Sequence, residues 1–251
     1  MPTNKAFLFA RARADVPLAE FVRWFAGPYA EALRAAHLPL RRCVLNICDV
    51  VPKYRIAPFI SKSGVERPAY DVVVELWFKD ENVPPQSETS LADSLSGGLM
   101  DAWRTTCLAG LNGRAERLHT YFVHEKVLYE PPPGSPVDIK FMALGRWMDH
   151  LTDEEGRSRW TEHAKLVPRV HVGVNRYVQN WVTAVMPEDA PPVTGIAELH
   201  FPSVQSLGDD FYSSAQGQEE IRQDVSRFTK SAATLCVREQ VIFEVSEGIG
   251  T

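Results

Sequence analysis

His163 is the residue of this sequence best suited to moving a proton at neutral pH. It follows Trp160 in the stretch WTEHAKLVP, within a helix that we predict to begin after Thr152. An unperturbed imidazole titrates at about pH 6.5, so it can act as a general base and then as a general acid. His163 would lie on the helix face that looks onto a sheet. The structural alternative is a histidine at the helix edge, bonded only to backbone or water.

A second histidine, His200, shares one side of a predicted strand with Glu198, because side chains two residues apart in a strand point the same way. The carboxylate could then fix the tautomer of the imidazole. Glu75 stands in a matching strand of the first part of the chain, which favours a structural role for both glutamates. That strand has Trp77 where the second has His200. Such divergence is expected where only one active site survives, so we predict that His200 is catalytic.

Other side chains could contact the same substrate. Tyr29 could donate a proton to a phenolate or carbonyl oxygen, or it could pack as an ordinary aromatic with its hydroxyl satisfied. Trp77, Trp160 and Tyr177 could hold a planar ring, although aromatic residues at such spacings mostly form core. We predict a catalytic role for Tyr29 and substrate binding for the other three.

One segment, residues 51–70, has no counterpart elsewhere in the chain and is rich in proline and basic residues. A long loop in a compact domain is often a lid or a binding loop. Lys53, Tyr54 and Arg55 could therefore bind a carboxylate or phenolate of the substrate. The alternatives are a solvated loop and a contact in a dimer.

The elements that must position these residues occur twice. The stretch EPPPGSP, residues 130–136, cannot continue a helix or a central strand, and it divides the chain into two similar parts. A gapless match relates His37, Arg42 and Asn46 to their counterparts His171, Arg176 and Asn180. His37 and His171 would sit where a helix ends and a strand begins, and their repetition with the arginines and asparagines predicts a capping or turn role for the two histidines.

Each part has the pattern β-α-β-β-α-β, with a capping box from Thr152 to Glu155 at the start of the first helix of the second part. A four-stranded sheet with both helices on one face leaves its other face apolar and exposed. Two such units can cover each other. We therefore predict an α+β fold, in which ferredoxin-like halves at 1–130 and 137–245 form a pseudo-twofold α/β barrel with the helices outside.

Composition excludes several classes of function. The net charge of −5 and the pI of about 5.8 do not suit a protein that binds the phosphate backbone of nucleic acids. No apolar run is long enough for a membrane span or a secretory signal, so we expect a cytoplasmic protein without a membrane partner. The four cysteines are scattered and lack zinc spacing, which predicts reduced core thiols and no metal site.

The order of three motifs resembles a known family. WTEHAKLVP, VNRYVQN and GIAELHF look like the EthD-like family of the dimeric α/β-barrel superfamily, here as a tandem fusion. The resemblance covers most of residues 137–243 and, more loosely, 5–129. It implies a small hydrophobic ligand enclosed between sheet and helices, and it supports His163 by family position. Members of the superfamily include cyclases, isomerases, lyases, cofactor-free oxygenases and some haem enzymes.

We therefore predict a cofactor-independent lyase that acts on an aromatic, phenolic or polyketide-like molecule by decarboxylation or retro-aldol cleavage. No glycine-rich nucleotide motif or serine-hydrolase elbow occurs in the chain. The alternatives are a cofactor-free oxygenase or a cyclase or isomerase, then a haem enzyme, and a non-catalytic ligand-binding or assembly protein. The sequence leaves open which half holds the site and whether the barrel forms a homodimer.

Overall fold

The computed structural model describes residues 3–36, 38–49, 69–79, 103–108, 110–132 and 134–245. Within them eight strands form one closed barrel in the order β1-β3-β2-β8-β5-β7-β6-β4. The strands are β1 Thr3–Ala12, β2 Leu40–Ile47, β3 Val72–Phe78, β4 Ala115–Tyr129, β5 Ile139–Trp147, β6 Arg176–Met186, β7 Gly195–Phe201 and β8 Thr229–Glu244.

The two halves of the barrel have the same topology. In each half the fourth strand lies beside the first, the first beside the third, and the third beside the second. All neighbouring strands are antiparallel, and the halves join where β4 pairs with β6 and where β2 pairs with β8. The predicted α+β barrel of two ferredoxin-like units is confirmed.

The helices pack outside the barrel. They are α1 Leu18–Trp24, α2 Ala30–Ala35, α3 Asp153–His163, α4 Val167–Val170, α5 Val204–Asp209 and α6 Ala215–Val225, with π-helical turns at Phe25–Tyr29 and Arg104–Leu108. The predicted capping box opens α3, because the Thr152 side chain accepts from the Glu155 amide and Glu155 bonds back. Pro28 lies in the first π-helical turn, where its missing N–H removes one α-helical hydrogen bond.

Most of the barrel interior is apolar, and it includes Phe7, Phe9, Tyr121 and Met142. All four cysteines are free and buried, as predicted. No helix among the described residues is long and apolar enough to cross a membrane. Residues 50–68 and His37 lie outside the described residues, so the predictions for the inserted segment and for His37 are not addressed by the structure.

The expectation that the inner sheet faces are apolar is wrong at one end of the barrel. There Lys5 Nζ contacts Glu75, Glu198 at 2.6 Å and Glu125 at 3.0 Å. Lys140 Nζ contacts the same Glu75 and Glu198, the latter at 2.7 Å. Both lysines and both central glutamates are fully buried. We call this set, together with Glu239, the interior charge network.

The repeated asparagines belong to this network and do not form caps or turns. Asn46 Nδ2 donates to Glu75 at 2.7 Å, and Asn180 Nδ2 donates to Glu198 at 2.8 Å. Both asparagines lie inside strands, in keeping with the alternating strand that the sequence predicts for the segment with Asn180. Arg176, on β6, pairs with Glu130 at 3.2 Å. The repeated asparagines therefore make equivalent hydrogen bonds to the two buried glutamates, one in each half.

Candidate functional site

A cavity lies between the outer face of the second-half sheet and the helices that cover it. Its volume is about 100 Å³, whereas one water needs roughly 10–15 Å³ on this measure, so the cavity can hold a small ring. Its walls are aromatic, imidazole and small aliphatic side chains with no Lys, Arg, Asp or Glu: Phe141, Ala143, Gly145, Trp147, Trp160, His163, Val167, His171, Tyr177, Gly195, Ala197, Leu199, Phe211, Tyr212, Ile221, Val225, Phe228, Thr229, Ala232 and Thr234.

Small residues on two paired strands form the floor of the cavity. Ala143 pairs with Ala197, and Gly145 pairs with Gly195, so no side chain larger than a methyl group rises from this part of the sheet. The equivalent positions of the first half include the larger pair Leu8 and Val74. The change from large to small side chains therefore makes room for a ligand in the second half.

His163 and Asp224 form a hydrogen-bonded pair at the cavity. Their Nδ1 and Oδ2 atoms are 2.9 Å apart, and His163 is 8% exposed. The hydrogen bond from His163 is the main cause that lowers the pKa of Asp224, so the carboxylate is ionised and Nδ1 carries the proton. Nε2 of His163 has no hydrogen-bond partner among the described residues. It is thus an acceptor available to a ligand.

His171 is a second imidazole on the cavity wall. Its Nδ1 is 2.6 Å from the carbonyl oxygen of Phe211, which fixes Nδ1 as the donor and Nε2 as the acceptor. Burial lowers its pKa to about 4, so the ring is neutral at physiological pH. The sequence correctly placed His171 at the end of a helix, where it is the C-cap residue of α4. Its position on a cavity was not predicted.

Trp160 and Tyr177 line the cavity, as expected for substrate-binding residues, and they are bonded to each other. Trp160 Nε1 donates to the Tyr177 hydroxyl at 3.0 Å. Gln179 Nε2 donates to the same hydroxyl at 3.3 Å and to the Trp160 carbonyl at 2.7 Å. Burial raises the pKa of Tyr177 to about 12, so its hydroxyl stays protonated.

His200 and Trp77 do not join this cavity, because they point into the barrel. His200 Nδ1 lies 3.4 Å from Glu239 and Nε2 lies 3.7 Å from Glu198, so the predicted contact with Glu198 exists. Trp77 Nε1 donates to Glu125 at 3.0 Å. His200 therefore does not lie beside His163, because alternation along β7 sends it to the opposite face of the sheet from the cavity, and its catalytic role stays a prediction.

Tyr29 also lies away from the cavity. It is 2% exposed and packs in the core of the first half, with its ring centroid 4.9 Å from that of Phe25. Burial raises its pKa well above the ordinary value, in keeping with an aromatic core residue. Tyr29 therefore does not contact a ligand in this cavity, and its catalytic role stays a prediction. Lys53, Tyr54 and Arg55 lie outside the described residues.

Asp224 is the functional candidate that the sequence analysis missed. It lies near the end of α6, far along the chain from His163. The signal that could have found it is its position in the helix that packs beside α3 in a ferredoxin-like half. The small residues of the floor were a second signal, visible as Ala and Gly where the first half has Leu and Val.

Solved structures with this architecture are similar in fold but distant in sequence. An anthrone oxidase-like protein matches with a TM-score of 0.60 and 10% identity, over 97% of this chain and 94% of that chain. The chlorite dismutase of Candidatus Nitrospira defluvii matches with a TM-score of 0.50 and 10% identity, over 96% of this chain and 92% of that chain. No curated protein gives a match.

The fold is therefore similar to that of these proteins, with both halves of the barrel in one chain. Residues 148–232 match the model of the EthD domain. The matched residues include α3 and α6, which cover the cavity.

Proposed function

We propose that this protein is an enzyme that removes a proton from a small, uncharged aromatic or polyketide-like molecule bound in the second-half cavity, with His163 as the base. The observation that carries the proposal is the His163–Asp224 hydrogen bond at the wall of an aromatic cavity. A carboxylate on Nδ1 leaves Nε2 as the proton acceptor and stabilises the imidazolium that forms.

When the proton leaves, its electron pair moves into the ring or carbonyl system of the substrate.

We propose a lyase as the first candidate. In a retro-aldol cleavage His163 takes the proton of a hydroxyl group, the adjacent C–C bond breaks, and an aldehyde or ketone leaves. The electrons of that bond form an enolate or phenolate on the remaining fragment. The imidazolium then returns the proton, so atoms and charge balance.

Decarboxylation is the other lyase reaction that the site could perform. There His163 takes the proton of the carboxylic acid, CO₂ leaves, and the electrons of the broken C–C bond stay on the aromatic fragment. The imidazolium then protonates the carbon that carried the carboxyl group. A carboxylate substrate would need a cation nearby, and the cavity lining contains no Lys or Arg. That lack favours the retro-aldol reaction on a neutral substrate.

A cofactor-free oxygenase is the second candidate. The fold match to an anthrone oxidase-like protein favours it, since an anthrone is an aromatic ketone with an acidic carbon. The first step would be the same proton transfer to His163. Molecular oxygen would then oxidise the carbanion, so consumption of O₂ separates this candidate from a lyase.

A haem enzyme is less consistent with the lining. A haem needs an axial ligand, which Nε2 of His163 or His171 could supply, and polar partners for its propionate groups. The described lining contains no Lys or Arg to bind those carboxylates. These residues fit an uncharged organic ligand better than a haem.

The test is a panel of phenols, aryl ketones and polyketide aromatics, with substrate loss followed by mass spectrometry and O₂ by an electrode. We expect conversion of at least one class by the wild type, and a loss of roughly 100-fold or more in His163→Gln. His150→Gln is the matched control, because His150 is exposed and outside the cavity. Equal rates in His163→Gln and wild type would refute the proposal.

A further inference from the structure

We infer that the Tyr177 hydroxyl is a dedicated hydrogen-bond donor to an oxygen of the ligand, so that the cavity selects molecules with a carbonyl oxygen on or beside an aromatic ring. This inference rests on the proposed function and assigns a substrate class to the same site. Its basis is the hydrogen-bond arrangement around one oxygen atom.

The Tyr177 oxygen receives two hydrogen bonds from groups that can only donate. The indole Nε1–H of Trp160 points to it at 3.0 Å, and the amide nitrogen of Gln179 lies at 3.3 Å. A phenolic oxygen has two acceptor positions and one hydrogen. Both acceptor positions are therefore occupied, and the hydroxyl hydrogen must point elsewhere.

The orientation of Gln179 is fixed independently. Its amide nitrogen also lies 2.7 Å from the carbonyl oxygen of Trp160, which can only accept. Turning the amide would place two oxygen atoms against each other. The donor therefore faces both Trp160 and Tyr177, and the amide oxygen of Gln179 points away from them.

The hydroxyl hydrogen of Tyr177 has no acceptor among the described residues, and Tyr177 is on the cavity wall. A buried donor with no protein partner is satisfied by water or by a ligand, and at a cavity wall a ligand oxygen can take the place of that water. Two hydrogen bonds received by the oxygen polarise the O–H group and strengthen the bond that it donates. Burial keeps the phenol neutral, since it raises the pKa of Tyr177 to about 12.

The first half shows that the fold does not need this arrangement. At the same spacing it has Ala26 in place of Trp160, Cys43 in place of Tyr177 and Leu45 in place of Gln179. That half packs the same sheet topology without any of the three polar groups. The hydrogen-bonded trio therefore occurs in the half that has the cavity, as expected for a ligand-binding device.

The presence of both His163 and Tyr177 on the cavity wall suits an aryl ketone with a hydrogen on the carbon next to the carbonyl. His163 Nε2 takes that hydrogen as a proton, the C–H electrons form a C=C bond, and the carbonyl oxygen becomes an enolate oxygen. Tyr177 stabilises the negative charge that develops there. Return of the proton from the imidazolium completes the cycle.

The test uses 1-indanone and indane, which share a carbon frame and differ in the carbonyl oxygen. The affinity of both is measured for wild type, Tyr177→Phe and the exposed control Tyr129→Phe, and the C=O stretch of bound 1-indanone is recorded by infrared spectroscopy. We expect the wild type to prefer 1-indanone roughly tenfold and to lower the C=O frequency. Tyr177→Phe should lose both effects, while Tyr129→Phe keeps them.

A second variant tests the same hydrogen bond in case Tyr177→Phe does not fold. Gln179→Leu installs the residue that the first half tolerates, and it should reduce the C=O shift because one acceptor position of Tyr177 is freed. His163→Gln should keep the C=O shift, so failure of the base leaves this inference standing. Equal affinity for 1-indanone and indane in wild type, or a C=O shift unchanged by Tyr177→Phe, would overturn it.

Discussion

Replacing Lys140 by methionine should destabilise the protein strongly although the side chain points into the barrel and not into the candidate site. Lys140 is fully buried and contacts Glu75, Glu198 at 2.7 Å and Glu239 at 2.8 Å. Burial lowers the pKa of this lysine, but the carboxylates outweigh burial and raise it overall, so the ammonium is charged. Its removal leaves Lys5 as the only lysine in contact with Glu75 and Glu198 among the described residues, and Glu239 loses its lysine partner.

Breaking a buried ion pair on one side costs about 3–5 kcal/mol, because the remaining charge has lost its partner. For a chain of this size each kcal/mol shifts the Tm by roughly 2–4 °C, so Lys140→Met should lower the Tm by roughly 6–20 °C. The assay is urea unfolding followed by circular dichroism, with calorimetry for the Tm. Adding Glu239→Gln to Lys140→Met should recover part of the loss.

The matched control is Lys230→Met. Lys230 pairs with Asp149 at the surface, where both side chains are about half exposed, so the change should cost less than about 1 kcal/mol. If Lys140→Met unfolded at the same urea concentration as Lys230→Met, the interior charge network would not stabilise the folded barrel.

Three further perturbations test the site. Gly195→Ala should destabilise by about 1–3 kcal/mol and weaken ligand binding, because its Cβ would lie 2.5 Å from the Trp160 ring; unchanged urea unfolding would contradict the contact. The neutral, buried His171 binds a proton more readily when unfolded, so stability should fall as pH drops from 6.5 toward 4. Between pH 6.5 and 4 the free energy of unfolding of His171→Asn should fall by about 3 kcal/mol less than that of wild type, as measured by urea unfolding at both pH values. An identical pH profile of the two proteins would refute this prediction. Asp224→Asn should lower the rate of proton transfer more than it changes ligand affinity; an equal loss in both would indicate a purely structural pair.

The sequence predicted the fold through its duplication. Matching strands such as those with Glu75 and Glu198 showed two related halves, and alternation along each strand separated the inner from the outer face. Local patterns also located the start of α3, since the capping box depends on residues only three apart. These features are set by short-range periodicity, which a single sequence displays directly.

The composition of the site could be predicted only in part. His163, Trp160 and Tyr177, which the sequence singled out, line the cavity, whereas His200 and Tyr29 lie away from it; the roles predicted for all five stay predictions. Whether a residue lines the cavity depends on the face of its strand from which the side chain projects and on the half of the barrel that contains the strand. Both depend on how distant elements pack, so pairings between remote residues stayed invisible.

The interior charge network was missed for a similar reason. Lys5 and Lys140 each stand alone in an apolar strand, where a lysine reads as a surface residue. Their carboxylate partners come from other strands and, for Lys5 with Glu198, from the other half. Only closure of the barrel brings these charges together.

The most direct test of the account measures exchange of the hydrogen beside the carbonyl of 1-indanone for deuterium from heavy water. NMR would follow the reaction with wild type, His163→Gln and His150→Gln at equal concentration. We expect catalysed exchange by wild type and His150→Gln, and a rate at least roughly 100-fold lower in His163→Gln. Exchange that persists undiminished in His163→Gln would contradict the claim that this cavity holds the catalytic base.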